Sequence, residues 1–181
     1  MKPVLLLDVD GPLNPWNNKP HRRPAGYDTF RFPVAGTTAR RPMRVWLRPA
    51  HGPQLLTLAD RCGFKLVWAT SWQAEANEFI SPALGLPELP IVPFPEFDPV
   101  RGWPRVGHWK WDAVADYAGD RPLVWLDDEH QGRAQQANRE RFLLRRGRVP
   151  TLLHHVSPRA GIDQPDLDAV EQFARAHWGA A

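Results

Sequence analysis

Hydrophobic residues occur along this chain in short unbroken runs, and segments with helical periodicity lie between the runs. The first run, Val4 to Leu7, has four apolar residues without a polar break and ends directly before Asp8. Such a run predicts a strand that is buried on both faces, as in a parallel sheet. Similar runs occupy positions 64–69, 123–126 and 150–156, and a shorter one lies at 91–92.

Helical spacing of apolar residues fills the intervals between these strands. We predict helices over residues 52–62, 72–80, 108–117, 131–142 and 166–177. Strands that alternate with helices predict an α/β fold, with a Rossmann-like parallel sheet and helices on both of its faces. The chain has 181 residues, so we expect a single domain, 1–181.

The least regular part of the chain follows the first strand, over about 14–48. Two apolar segments, Thr29–Phe32 and Met43–Leu47, are separated by Gly36 and Thr37 and predict a β-hairpin flap. The interval is too short for a full cap domain once the hairpin is placed. Since a cap excludes water and selects small substrates, a site without one is expected to be open to bulky substrates.

Polar residues with catalytic potential follow three of the predicted strands. They are Asp8, Asp10, Thr70, Asp127 and Asp128. In an open parallel sheet the carboxyl ends of the strands form the binding edge, so we expect these side chains to meet there. Crowded carboxylates are costly unless a cation is present or one acid is protonated. If Asp8 and Asp10 are considered alone, the alternative to a functional site is that they are turn residues that cap an edge strand.

Four short signals resemble the four signatures of the haloacid dehalogenase-like (HAD) superfamily, and they occur in its order. They are Asp-x-Asp-Gly at 8–11 after a strand, a strand that ends at Thr70, Lys110 near a helix start, and a strand that ends in Asp127 and Asp128. Together they span most of the chain. This resemblance implies a HAD-like hydrolase and, in agreement with the alternation of strands and helices, a Rossmann-like sheet.

A narrower resemblance concerns the runs 8–15 and 69–72. They are similar to a small capless HAD branch, some members of which are associated with RNA-repair proteins. Pro12 departs from the superfamily, which usually has Thr or Val at this position, and it is expected to alter the turn rather than the metal site.

The resemblance implies catalytic roles for four residues. Asp8 is the candidate nucleophile, which would form an aspartyl-phosphate, and Asp10 is the candidate general acid and base. Thr70 would bind a phosphoryl oxygen, and Lys110 would neutralise phosphate charge. The dehalogenases of the superfamily lack an acid at the second position, so Asp10 favours phosphate chemistry.

The same resemblance implies a Mg²⁺ cofactor, which suits a cluster of oxygen ligands. The ligands would be the carboxylate of Asp8, the backbone carbonyl of Asp10, and one carboxylate of the pair Asp127 and Asp128. Either member of that pair could be the ligand.

Candidate substrate-binding residues lie next to these signatures. They are Gly11, Trp16, Ser71 and Trp72. Ser71 is also a candidate cap for the helix that follows Thr70, and the N-terminus of that helix would favour anions.

Two further groups carry weaker signals. Trp103, Trp109 and Trp111 flank Lys110 and could stack on bases, although aromatic residues around a helix start more often serve packing. His130 follows the last acid pair closely, and we expect it at the surface.

The composition limits the class of protein and its partners. The net charge is +3, and Arg outnumbers Lys. Arg favours phosphate binding, but the net charge is modest, so genomic base composition is the favoured explanation of its abundance. Seven arginines lie in the flap region and could grip a phosphate backbone: Arg22, Arg23, Arg31, Arg40, Arg41, Arg44 and Arg48. The single cysteine, Cys62, excludes an internal disulfide framework, and we expect a cytoplasmic protein without a membrane segment.

These observations favour a Mg²⁺-dependent phosphomonoester hydrolase with an open site, acting on a phosphorylated substrate such as a nucleic-acid 3′-end. A phosphatase of small metabolites or nucleotides is the first alternative. The second is a non-catalytic module that binds phosphate or nucleic acid. The sequence does not predict an oligomeric state.

Overall fold

The computed structural model describes residues 1–19, 21–34, 42–95 and 109–179, without the side chain of Trp109. The strands are β1 (Val4–Leu7), β2 (Asp28–Phe32), β3 (Met43–Leu47), β4 (Lys65–Trp68), β5 (Leu123–Asp127) and β6 (Thr151–His155). The helices are α1 (His51–Cys62), α2 (Ser81–Leu84), α3 (Trp109–Ala118), α4 (Arg133–Arg146) and α5 (Gln164–Trp178). A π-helical turn at Ala76–Ile80 precedes α2, and a 3₁₀ turn at Asp128–His130 follows β5.

The four core strands form a parallel sheet in the order β4-β1-β5-β6. All four residues of β1 are fully buried, as expected for a strand in the middle of a sheet with covered faces. The predicted Rossmann-like α/β fold is confirmed. The short run at 91–92 contributes a single bridge, between Trp68 and Ile91, rather than a strand.

Helices cover both faces of the sheet because alternate residues of each strand point to opposite sides. On one face, Leu5 packs in a core with Leu55 of α1 and Val170 of α5. On the other face, Leu6 packs in a second core with Val114 of α3, and this core also includes residues of β5 and α4. The site at the strand ends is therefore supported from both sides by fixed apolar layers.

The predicted β-hairpin is confirmed. Strands β2 and β3 pair antiparallel, from Asp28 opposite Leu47 to Phe32 opposite Met43. The hairpin packs on the first core, where the ring of Phe32 stacks on that of Phe79 with centroids 5.3 Å apart. Of the described residues between β1 and α1, only these two segments form strands. Residues 20 and 35–41 lie outside the description, and with them the predicted turn and two of the flap arginines.

The helix predicted from residue 72 begins later. Residues 71–73 form a turn, because Gln73 has a left-handed backbone with φ of 47° and interrupts helical geometry. The proposed cap by Ser71 is therefore wrong: the N–H of Trp72 donates to Thr70 Oγ1 at 3.4 Å, and the helical segment has no side-chain cap.

Within the described ranges, no helix combines the length and apolar character that a membrane crossing requires. Residues 96–108 lie outside the description, and they include Trp103 and the predicted helix start at His108.

Candidate active site

The carboxyl ends of the central strands bring three acids together. Asp8 follows β1, Asp127 ends β5, and Asp128 comes next. One carboxylate oxygen from each lies within 4.8 Å of the others. Asp8 and Asp127 are buried, and Asp128 is partly exposed. The parallel topology thus joins acids that are far apart in the chain, as we expected from their positions at strand ends.

Gly11 allows the close approach of the β1 and β5 ends. Its φ is +90°, and a Cβ atom at this position would lie 2.5 Å from the Cβ of Asp128. A side chain here would meet both a backbone penalty and a steric clash. Gly11 is buried and is not among the residues that line the nearby pocket, and the place where its Cβ would lie is taken up by Asp128.

Lys110 in the first turn of α3 lies between the acids of two strands. Its Nζ is 2.8 Å from Asp8 Oδ2 and 2.6 Å from Asp127 Oδ2. It is also 3.6 Å from Glu129, a carboxylate that the sequence pattern did not single out although it directly follows the acid pair. One ammonium therefore faces several carboxylates.

The electrostatics of the site follow from this crowding in a buried place. Burial raises the pKa of Asp8 to about 6, although the Lys110 charge opposes the shift. Burial, with the charges of Asp127 and Asp8, raises the pKa of Asp128 to about 7. Burial alone would lower the pKa of Lys110, but the adjacent Asp127 and Asp8 outweigh it and raise that pKa well above its usual value.

The carboxylates outnumber the ammonium, and all of their donor atoms are hard oxygens. This set could hold a divalent metal, and a bound cation would remove the cost of ionising Asp8 and Asp128.

The carboxylate of Asp10 has different partners from those of the three clustered acids. It accepts from Asn14 Nδ2 at 2.7 Å and from Trp72 Nε1 at 3.0 Å. Burial raises its pKa, and the nearby charge of Asp8 adds to the shift. Asn14 was not predicted as a site residue, because an Asn after a turn gives no signal beyond loop composition.

A pocket of about 310 Å³ opens above the acids. Its described lining consists of Asp8, Asp10, Trp16, Ser71, Lys110, Asp128 and Glu129. Trp16 is 54% exposed, and its Nε1 donates to Asp128 Oδ2 at 3.1 Å. Thr70 is fully buried, and its hydroxyl acts on Asp8 by lowering the pKa of that carboxyl, against the effect of burial.

Trp72 differs from the other residues that we predicted to bind substrate. It is buried, it is not among the lining residues of the pocket, and its indole N–H is used by Asp10. This position favours a role through Asp10 over direct contact with a substrate.

An aromatic layer lies beneath Lys110. The surface position predicted for His130 is wrong: His130 is buried, its Nε2 lies 3.1 Å from the carbonyl oxygen of Trp125, and burial lowers its pKa to about 3. Trp111 is also buried and packs against the rings of Trp125 and His130, so it is a core residue rather than a surface on which a base could stack. The Lys110 Nζ lies 5.8 Å from the Trp125 ring centroid.

The family described as the HAD domain in Swiss Army Knife RNA repair proteins matches residues 4–149, which include every clustered acid and Lys110. The chain belongs to this family. Searches of curated proteins and of solved structures gave no match. Membership of the HAD family implies a phosphoryl-transfer hydrolase-type function and a phosphorylated substrate, and HAD domains typically use a divalent metal. The acidic cluster is suited to such a metal.

Proposed function

We propose that this HAD domain is a Mg²⁺-dependent phosphomonoesterase that acts through an aspartyl-phosphate at Asp8. The observation that carries the proposal is the environment of this carboxylate. It lines the pocket, its Oδ2 is 2.8 Å from the Lys110 ammonium, and Asp127 and Asp128 lie beside it. A carboxylate with these neighbours stays ionised when a cation is bound and can attack phosphorus.

Three residues would hold the Mg²⁺ ion. They are Asp8 through its carboxylate, Asp10 through its backbone carbonyl, and Asp127 or Asp128. The ion would neutralise phosphate charge during the reaction. The close contact of Lys110 with Asp127 favours Asp128 as the ligand with more freedom to reach the ion.

In the first half of the reaction, a carboxylate oxygen of Asp8 forms a bond to phosphorus. The bond between phosphorus and the leaving-group oxygen breaks, and Asp10 gives that oxygen a proton, so that an alcohol departs. Thr70 and Lys110 supply hydrogen-bond and charge stabilisation to the phosphoryl group.

In the second half, a water molecule attacks the phosphorus of the aspartyl-phosphate. Asp10, now a carboxylate, takes a proton from the water, the bond between phosphorus and Asp8 breaks, and inorganic phosphate is released. Both halves use the same acid in opposite directions, which requires Asp10 to face the reacting oxygen.

We propose nucleic-acid 3′-end phosphates as the substrate class. The match to the RNA-repair family supports it, and so does the half-exposed Trp16 at the pocket, which offers a face on which a base can stack. Arg22, Arg23 and Arg31 are exposed in the flap region, but among the described residues no flap arginine lines the pocket. Any role for them would be in holding more distant phosphates.

A small phosphomonoester is the second candidate substrate. The pocket volume of about 310 Å³ lies in the range of small-molecule sites, which favours a nucleotide or metabolite. The two candidates share one chemistry and differ only in what extends beyond the pocket.

Phosphate release in the presence of Mg²⁺ tests both the phosphomonoesterase activity and the proposed substrate class. The substrates are 3′-phosphorylated oligoribonucleotides, the matching 5′-phosphorylated strands and free nucleotides. We expect the 3′-phosphorylated strands to have the highest kcat/KM. Turnover of free nucleotides alone would refute the nucleic-acid assignment. Binding of the oligonucleotides without phosphate release would show a non-catalytic module.

Asp8→Asn tests the nucleophile. It should abolish phosphate release, with a loss of several orders of magnitude, while the fold is kept. The matched control is Asp28→Asn, the same change at an exposed position of the hairpin, which should leave turnover unchanged. Normal activity of the Asp8→Asn protein would refute the assignment.

A further inference from the structure

Asp10 is held by two side chains that can only donate to it. Asn14 Nδ2 donates to Oδ1 at 2.7 Å, and Trp72 Nε1 donates to Oδ2 at 3.0 Å. Each carboxylate oxygen therefore has one fixed partner, and the plane of the group is defined from both sides. Asp10 also lines the pocket that contains Asp8, so the two acids open onto the same space.

The orientation of the Asn14 amide is set by the hairpin. Asn14 Oδ1 accepts the backbone N–H of Trp46 in β3 at 3.0 Å. Because a backbone N–H can only donate, the oxygen of the amide must face β3 and its nitrogen must face Asp10. An indole N–H likewise can only donate, so neither partner of Asp10 can accept a proton from it.

These contacts restrict the positions at which Asp10 can carry a proton. A carboxyl oxygen has two acceptor positions, and in each oxygen one of them is filled by an N–H group. A proton carried by Asp10 cannot lie between the carboxyl group and either donor. It must occupy one of the two remaining positions, and Asp10 is a lining residue of the pocket where the leaving group would be bound.

We infer that Asn14 and Trp72 are positioning residues that aim the proton of Asp10 at the leaving-group oxygen. This inference rests on the proposed phosphomonoesterase function. As the bond between phosphorus and the leaving oxygen breaks, the proton moves from Asp10 to that oxygen, and a carboxylate remains. The two N–H bonds strengthen as this negative charge develops, since hydrogen bonds to an ionised acceptor are stronger than neutral ones. The pair therefore stabilises the transition state more than the ground state.

The role is specific to leaving groups that need a proton. An alkyl alkoxide is a strong base and departs only when it is protonated, whereas a nitrophenolate departs without help. The dependence of kcat/KM on leaving-group basicity therefore isolates the function of Asp10 from the rest of the site. A purely structural defect would lower the rates for all leaving groups alike.

The decisive variant is Trp72→Phe, which removes the N–H group and keeps an aromatic ring of related shape. With Mg²⁺ present, kcat/KM for alkyl phosphates should fall by about 10–100-fold, a part of the usual contribution of general acid catalysis. For nitrophenyl phosphate, kcat/KM should change by no more than about twofold on the same grounds. The matched control is Trp178→Phe in α5, away from the site. It removes an indole N–H that donates to the carbonyl oxygen of Cys62 in α1 at 2.9 Å. It should leave both rates unchanged.

Two further variants keep the test decisive. Asn14→Ala removes the other donor and should shift the leaving-group dependence in the same direction, so it replaces Trp72→Phe if that protein does not fold. Asp10→Asn removes the acidic proton itself, so it gives the largest change in leaving-group dependence that the positioning variants could approach.

The outcomes separate the two levels of the proposal. If Trp72→Phe lowers the rates for alkyl and nitrophenyl phosphates equally, or changes neither, the positioning role is refuted and the phosphatase function stands. A wild-type protein that releases no phosphate from these esters, from nucleotides or from the 3′-phosphorylated oligonucleotides refutes the proposed function, and the positioning role with it.

Discussion

Lys110 Nζ lies 2.8 Å from Asp8 Oδ2, although the two residues are 102 positions apart in the chain. The same ammonium lies 2.6 Å from Asp127 Oδ2, so one cation neutralises carboxylates from two neighbouring strands. The Lys110 side chain is 12% exposed and the Asp127 side chain 1%. Because these three charges are buried, they interact strongly. If the ammonium were removed, water could not take its place beside the carboxylates.

Lys110→Met should therefore impair both stability and turnover. We expect the free energy of unfolding of the metal-free protein to fall by about 3–5 kcal/mol, as when one partner of a buried ion pair is removed. Turnover should fall by about 10²–10³-fold, because a charge that stabilises the phosphoryl group is lost. Urea denaturation and phosphate release measure the two effects.

The control is Lys65→Met, at the exposed first residue of β4. It should change stability by no more than about 0.5 kcal/mol, as is usual for surface substitutions. Equal effects of the two substitutions would contradict the pairing.

Gly11→Ala should disrupt the acidic cluster. The new Cβ would lie 2.5 Å from the Cβ of Asp128, so the end of β1 or the acid pair must move. Gly63→Ala is a matched control, since Gly63 has φ of +70° and no atom within 4 Å of the place that the new methyl group would take. Both substitutions should cost about 1–2 kcal/mol through backbone strain.

Only Gly11→Ala should also weaken metal binding. Titration with Mn²⁺, followed by the rise in thermal midpoint, measures this difference. An undiminished response of the Gly11→Ala protein to Mn²⁺ would show that the contact with Asp128 does not shape the cluster.

The stability of the metal-free protein should depend on the ionisation of Asp128. The pKa of this carboxyl group is raised from 3.8 to about 7, so the folded protein keeps a proton that the unfolded chain has lost. Its contribution to stability is therefore complete below about pH 4 and disappears as the pH rises through about 7. Asp8, with its pKa raised to about 6, acts in the same direction.

Asp128→Asn isolates this effect. The buried His51 and His130 titrate with the opposite sign, because their lowered pKa values make the folded state bind fewer protons. The difference between wild type and variant cancels them. We expect the wild type to lose stability relative to Asp128→Asn between pH 4 and 7, by urea denaturation in EDTA. A difference that does not vary with pH would contradict the raised pKa.

Trp16 should combine a contact to the substrate with support for the acid pair. Trp16→Leu removes the exposed ring face, and KM for 3′-phosphorylated oligonucleotides should rise by about 5–100-fold, the usual effect of losing one stacked base. KM for a small alkyl phosphate should remain the same when both proteins are saturated with Mg²⁺, because Trp16→Leu also removes the N–H donated to Asp128. Trp16→Phe keeps a ring but loses the N–H donated to Asp128 Oδ2 at 3.1 Å, so it should mainly raise the Mg²⁺ concentration needed for turnover. Equal KM changes for both substrates would refute the stacking role.

The strands, their alternation with helices and the edge at which the acids meet were predictable from the sequence. Uninterrupted apolar runs are typical of strands buried on both faces, and a parallel arrangement places every carboxyl end at one edge. Asp8, Thr70 and Asp127 each stand directly at or after such a run. Their convergence is therefore a consequence of chain direction, which local pattern is sufficient to predict.

The partners of these residues were decided only by the tertiary structure. Several features of the site depend on how separate elements approach one another. They are the hydrogen bonds of Asn14 and Trp72 to Asp10, the contact of Lys110 with Asp127, and the burial of His130. Apolar periodicity indicates which face of an element is buried, because covering that face removes apolar surface from water whichever element covers it. It carries no information on which polar atoms come within 3 Å across a fold, since that distance is set by the packing of many side chains at once.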